Sequence, residues 1–92
     1  MEKFIPNITF TVQIFQEGKT YIAHNPELSV ASCGDTLEQA RENLKDALRG
    51  FILSAKEMGT LDGILEEAGY IQKGKKWATP HLLVMDRFSL VS

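Results

Sequence analysis

One stretch of the chain, residues 37–55, repeats its apolar side chains at the spacing of an α-helix, and this stretch constrains the fold most. Two overlapping capping boxes mark the start of this stretch. One pairs Thr36 with Gln39 three residues later, and the other pairs Asp35 with Glu38 in the adjacent register. The pattern predicts a helix of about five turns that must bury one face against another layer. That face comprises Leu37, Ala40, Arg41, Leu44, Ala47, Leu48, Phe51, Ile52 and Ala55.

Three short segments before the helix have the character of β-strands. Residues 7–15 alternate apolar and polar side chains with period two, and residues 20–24 and 28–33 follow them. Gly18 and Pro26 interrupt the chain between these segments, because glycine allows a tight turn and proline restricts the backbone around it. Consecutive strands joined by short connections favour an antiparallel meander.

The remainder of the chain changes character at Gly59, which is suited to end the long helix. Residues 60–69 predict a short second helix, and residues 70–78 predict a small hairpin around a glycine. Residues 82–91 are β-rich, but their alternation slips at Asp86, which predicts a bulge or kink there.

The order of elements predicts an α+β fold with two layers. A three-stranded antiparallel meander is packed by one long helix, and a short helix and a β-rich C-terminal tail follow (β-β-β-α-α-β). We expect a single domain over residues 1–92, with a core at 7–70 and the tail at 71–92. The second face of the sheet has no helix to cover it, which favours a homo-oligomer, a dimer or a tetramer. The expected interface residues are Phe15, Trp77, Phe88 and Leu90.

Composition excludes several classes of protein. The formal net charge of −2 argues against a mainly electrostatic nucleic-acid binder. The single cysteine, Cys33, excludes an internal disulfide framework and a cysteine-based zinc site. The longest apolar run, residues 82–85, is far shorter than the roughly 20 residues that cross a bilayer. We therefore expect a cytoplasmic protein with no membrane contact.

The residues suited to catalysis are few and scattered. His24 and His81 lie in different segments and show no metal-binding spacing. Cys33 lies near a helix start, where a thiol can be activated, but no histidine is obviously paired with it. The sequence therefore predicts no enzyme, no metal and no cofactor. A small enzyme that pairs His24 with Asp35 is only the third alternative, ahead of a structural subunit of a larger assembly.

Half of the chain carries a family likeness. The likeness begins with a strand at residues 10–14 and a tyrosine-led second strand at residues 21–28, which ends near a proline and a leucine. A Gly-Asp-Thr helix start follows within residues 33–40, and the helix continues through residues 43–47. In this pattern the chain resembles the HicB-like antitoxin family over roughly residues 8–57. The segments that follow look like a sub-group of the family with a β-rich tail.

The resemblance implies a binding protein and not a catalyst. Antitoxins of this family bind and occlude a small RNA-cleaving toxin of the HicA type, and many carry a C-terminal DNA-binding unit. Only 23 residues follow Gly69 here, and they are β-rich, which argues against DNA binding. An acidic face would match a basic ribonuclease. The candidate partner-binding residues are His24, Asn25, Pro26, Glu27, Asp35 and Glu38.

A second possibility is a stand-alone module of the same fold that binds RNA or a small ligand. Lys73, Lys75 and Lys76 form a short basic cluster, and Trp77 beside them could stack on a base. A solvated turn is the simpler interpretation of the same cluster.

Overall fold

The computed structural model describes residues 7–79 and 82–91. The order of elements confirms the predicted α+β architecture, and the long helix, the short helix and the hairpin all lie where the sequence places them. The elements are β1 (Asn7–Ile8), β2 (Gln13–Glu17), β3 (Thr20–Asn25), β4 (Val30–Gly34), α1 (Leu37–Met58), α2 (Leu61–Glu67), β5 (Ile71–Lys73) and β6 (Lys76–Ala78).

The predicted meander is formed by β2, β3 and β4, which lie in that order and run antiparallel. Phe15 of β2 faces Ile22 of β3, which in turn faces Cys33 of β4. Because Ala23 packs against α1, the side chains on either side of it along β3 point to the opposite face of the sheet. Within the described residues, this sheet therefore has one face under the helix and one face that no helix covers, which we call the open face.

The first strand is not continuous as the sequence predicts. Residues 7–15 divide into β1 and the start of β2, with residues 9–12 outside any strand. β1 leaves the meander and pairs in parallel with β6, so Ile8 lies opposite Trp77. With β5 these two strands form a second small sheet, ordered β1-β6-β5.

Helix α1 begins and ends as its capping signals predict. Thr36 Oγ1 accepts a hydrogen bond from the Gln39 N–H at 3.0 Å, and Gln39 Oε1 accepts one from the Asp35 N–H at 2.7 Å. Gly59 ends the helix in the left-handed conformation (φ 76°). Gly34 is required for a different reason: a Cβ there would lie 2.6 Å from the backbone nitrogen of Ala40, so β4 runs into α1 too closely for any side chain.

The interior consists of two apolar clusters that share α1. The first half of the helix packs on the meander, around Ala23 and Leu44. The second half packs on α2 and the second sheet, around Ile52, Leu65 and Trp77. Phe10 and Leu28 are partly buried against both clusters and so join them into one core.

The last part of the chain differs from the prediction. Residues 82–91, which we call the arm, form no strand, although the sequence predicts β structure there. All ten residues are exposed. No strand within the described part of the chain is hydrogen-bonded to the arm. Because a single strand is not stable without a partner strand, the β-rich sequence alone does not produce β structure here.

Candidate binding surfaces

The six residues predicted to bind a partner do not form one site. Asn25 ends β3 and lies opposite Val30, whereas Gly34, which precedes Asp35, lies opposite Tyr21 at the other end of the same strand. Four residues of a strand span about 13 Å. The structure therefore brings residues 24–27 together at one end of the meander and places Asp35 with Glu38 at the other.

Asn25 is an interior residue. It is 0% exposed, and its side-chain nitrogen donates to the Thr11 carbonyl at 2.9 Å and to Glu27 Oε1 at 2.6 Å. Its side-chain oxygen accepts a hydrogen bond from the Leu28 N–H at 2.9 Å. This corrects the expectation that Asn25 contacts a partner: its side chain holds together two segments of its own chain.

Glu27 completes the same arrangement. Its two carboxylate oxygens accept hydrogen bonds from the N–H and from the hydroxyl of Thr11, at 2.9 and 2.5 Å. We call Thr11, Asn25 and Glu27 the polar cluster. It supplies hydrogen bonds to backbone groups between β1 and β2, where no ladder does so. Glu27 is thus occupied within the chain, and it is a poor choice for a partner contact.

Tyr70 extends this support. Its hydroxyl donates to the Thr9 carbonyl at 2.7 Å, and its ring meets Phe10 edge-on with centroids 6.2 Å apart. Burial raises the pKa of Tyr70, and the nearby negative charge of Glu27 raises it further. Sequence reasoning missed Thr9, Thr11 and Tyr70, because their partners lie up to 61 positions away and no local pattern marks them.

His24 and Pro26 remain near the surface. The ring Nδ1 of His24 lies 3.4 Å from Gln13 Oε1 on the open face of the meander. Pro26 is exposed and borders a groove that it shares with Thr11, Leu82 and Val84. This end of the meander therefore faces the start of the arm.

The other end of the meander carries negative charge. Asp35 and Glu38 are both exposed, and Glu38 lies in the first turn of α1, where the helix dipole favours an anion. Glu42 and Asp46 further along the helix pair with Lys45 and Arg49 at 3.6 and 2.9 Å. Among the described residues, no such partner is found for the carboxylates of Asp35 and Glu38, which leaves them open to another molecule.

The four predicted interface residues also fall into different places. Phe15 lies on the open face of the meander and is 44% exposed, and its place in an interface stays a prediction. Phe88 and Leu90 lie in the arm and are 82% and 88% exposed. Trp77 is 5% exposed and packs in the core, which corrects its assignment to the interface. The cause is the second sheet, which turns Trp77 inward beneath α1.

A cleft of about 570 Å³ lies between the end of α1 and the β5–β6 turn. Lys56, Gln72 and Lys75 line it together with Asp62. Trp77 contributes only the small part of its surface that remains exposed. The expected stacking of a base on Trp77 is therefore not possible in this arrangement.

The side chains suited to metal binding are dispersed in the part of the chain that the structure describes. No group of three or more histidine, cysteine or acidic side chains there could hold a metal ion. His81 lies outside the described residues. Across residues 7–79 and 82–91, no helix is long and apolar enough to span a bilayer. Comparison with protein-family models, with curated proteins and with solved structures gives no match.

Proposed function

We propose that this chain is a non-catalytic protein-binding module that acts as an antitoxin and occludes a small RNA-cleaving toxin of the HicA type. Two things support the proposal: the resemblance of residues 8–57 to HicB-like antitoxins, and the distribution of exposed side chains. Apart from the buried Tyr70 and from Glu27 in the polar cluster, the titratable side chains of the described residues are dispersed over the surface, whereas large apolar side chains are exposed. Such a surface suits binding better than catalysis.

The observation that carries the choice of partner is the acidic end of the meander. The exposed carboxylates of Asp35 and Glu38 lie close together in sequence at the start of α1, with no intrachain ion pair found for them in the described residues. A basic ribonuclease would be attracted to this end, and complementary charge raises the association rate and fixes orientation. Glu27 takes no part, because both of its oxygens are hydrogen-bonded within the chain.

Charge reversal at the acidic end tests the proposal. The tagged protein is purified from its own cells at moderate salt, and the proteins that accompany it are identified by mass spectrometry. We expect a small basic protein in fixed stoichiometry, and we expect Asp35→Lys with Glu38→Lys to lose it. Glu66→Lys with Glu67→Lys, on the exposed side of α2, is the matched control and should retain it.

Two results would count against this assignment. If the acidic-end variant and its control recover the partner equally, the docking site lies elsewhere. If the unaltered chain recovers only itself, the antitoxin role is wrong. The unfolding midpoint of each variant should be measured in parallel, because loss of folding would mimic loss of binding.

We also propose that the protein is cytoplasmic and that it forms a homo-oligomer. Self-association is supported by the open face of the meander, where Phe15 is exposed, and by the exposed apolar residues of the arm. A mass near 10.3 kDa at all concentrations in light scattering would contradict it.

The cleft beside the β5–β6 turn favours one alternative, a module that binds RNA or a small anionic ligand. Lys56 and Lys75 both border the cleft, and Gln72 adds an amide that can donate or accept. RNA binding through these lysines would weaken steeply with salt and with Lys75→Ala. Salt-independent binding, or none, would exclude this alternative.

A further inference from the structure

The arm, residues 82–91, has the apolar composition of a protein interface, but the described residues leave it exposed to solvent. Its ten residues contain no Pro or Gly, and all of them are exposed. Seven are large apolar side chains with exposures between 62% and 92%, namely Leu82, Leu83, Val84, Met85, Phe88, Leu90 and Val91. Single exposed apolar residues are ordinary on a protein surface, but a contiguous run of them marks a contact site.

The arm carries more than half of the large apolar side chains that the described residues expose, seven of thirteen. A stable interface takes roughly 800 Å² from each partner, and a contiguous apolar run is the kind of surface that such a contact buries.

The meander has an open edge beside the arm. Strand β2 is hydrogen-bonded to β3 on one side, and no strand within the described residues pairs with its other side. Gln13, Phe15, Met85 and Arg87 line one shallow groove, so the middle of the arm lies beside this edge. No backbone hydrogen bond joins arm and edge in the described part of the chain, so the chain's own fold leaves both unsatisfied.

We propose that the arm, residues 82–91, adds a strand to the open β2 edge of a second copy of this chain, and that two chains exchange their arms. The proposal rests on the self-association proposed above and names its contact. A second copy is the fitting occupant because each copy supplies one unpaired arm and one unpaired edge, so a single two-fold contact satisfies both copies. Ten extended residues span about 33 Å and β2 about 17 Å, so the arm covers the edge with several residues to spare.

Pairing between two arms fits less well. When two identical arms pair antiparallel about a two-fold axis, the residue at the axis lies opposite its own copy. If the pairing is centred on the middle of the arm, that residue is Asp86 or Arg87, so two like charges face each other. Strand addition to β2 avoids this repulsion. It also brings apolar arm residues beside Phe15, which is exposed on the open face.

The test uses the full-length protein in light scattering from micromolar concentration upward. We expect about twice 10.3 kDa for the unaltered chain. Phe88→Asp should shift the protein toward the monomer by at least tenfold in dissociation constant, whereas Ser89→Asp, with the same added charge at the adjacent position, should have a much smaller effect. Both positions are exposed, so neither change should alter folding.

Cross-linking decides which chain receives the arm. In a Cys33→Ser background, a tagged chain with Phe15→Cys is mixed with an untagged chain with Phe88→Cys and treated with a short bismaleimide. We expect a product that contains both chains, and much less of it when Glu66→Cys replaces Phe15→Cys.

Three results would overturn the proposal. A monomer at every concentration would remove both self-association and arm exchange, while leaving the partner-binding assay to judge the antitoxin role. A dimer that Phe88→Asp leaves intact would place the contact elsewhere, such as on the open face of the meander. A cross-link that forms only when Phe15→Cys and Phe88→Cys are on the same chain would show that the arm docks on its own edge.

Discussion

Replacement of Asn25 by alanine should be among the most destabilising single changes on the meander. The side chain is fully buried and makes three hydrogen bonds, to the Thr11 carbonyl, the Leu28 N–H and Glu27. Asn25→Ala leaves two backbone groups without these partners, at a cost of roughly 1–3 kcal/mol each. With the small void that remains, we expect a loss of about 3–5 kcal/mol, against a total stability of roughly 5–14 kcal/mol for a chain of this length.

Urea unfolding followed by tryptophan fluorescence measures this loss. Trp77 is the only tryptophan and lies in the core, so its emission reports the loss of tertiary structure. With a slope of about 1.5 kcal/mol per molar urea, the midpoint should fall by about 2–3 M. All variants must be compared at one protein concentration, because the self-association proposed above would make stability depend on concentration.

His24→Ala is the matched control. His24 is the preceding residue of β3, and its one polar contact within the described residues is the 3.4 Å approach to Gln13 on the opposite face of the sheet. We expect its replacement to cost less than about 1 kcal/mol. If Asn25→Ala unfolds within 1 kcal/mol of the unaltered protein but loses its partner, then Asn25 is a recognition residue and the structural role assigned to the polar cluster is wrong.

Three further predictions concern folding. Thr36→Ala should cost about 0.5–2 kcal/mol in urea unfolding, because α1 loses the side chain that accepts from the Gln39 N–H; an unchanged midpoint would refute this. Gly34→Ala should cost about 1–3 kcal/mol, because its Cβ would collide with the backbone nitrogen of Ala40, and a stabilised variant would show that the close approach is absent. The raised pKa of Tyr70 means that its neutral form is favoured in the folded state, so stability present below pH 10 should be lost as the pH rises above 10. Tyr70→Phe should abolish that part of the alkaline loss, and an identical pH profile for the variant would contradict the assignment.

The parts of the fold that the sequence predicts correctly are those encoded locally. The stripe of α1, the Thr36 cap and the Gly59 stop act over a few residues, so periodicity and capping rules identify them. The same is true of the β5–β6 hairpin, whose turn is centred on a glycine. These elements needed no information about the rest of the chain.

The errors arise where a distant segment decides the outcome. Residues 7–15 do alternate apolar and polar side chains, but β1 pairs with β6, almost 70 residues later, and is therefore not part of the meander. Burial of Trp77 follows from that same pairing. The polar cluster is hidden for a related reason: an asparagine before a proline is typical of a turn, and the sequence does not show that Thr11 will lie beside it.

The division of the first strand also accounts for the unpaired surface. Because β1 leaves the meander for β6, the described residues form two three-stranded sheets in place of one larger sheet, and none of their strands pairs with the outer edge of β2. The polar cluster links the backbone between β1 and β2 to the end of β3 and to Glu27 by hydrogen bonds, which stabilises the crossing between the sheets. Natural proteins cover, twist or charge such an edge to prevent indiscriminate pairing. In this chain the arm passes beside the edge with seven apolar side chains still exposed, so the cover that the fold lacks is most simply supplied by an equivalent arm from a second copy.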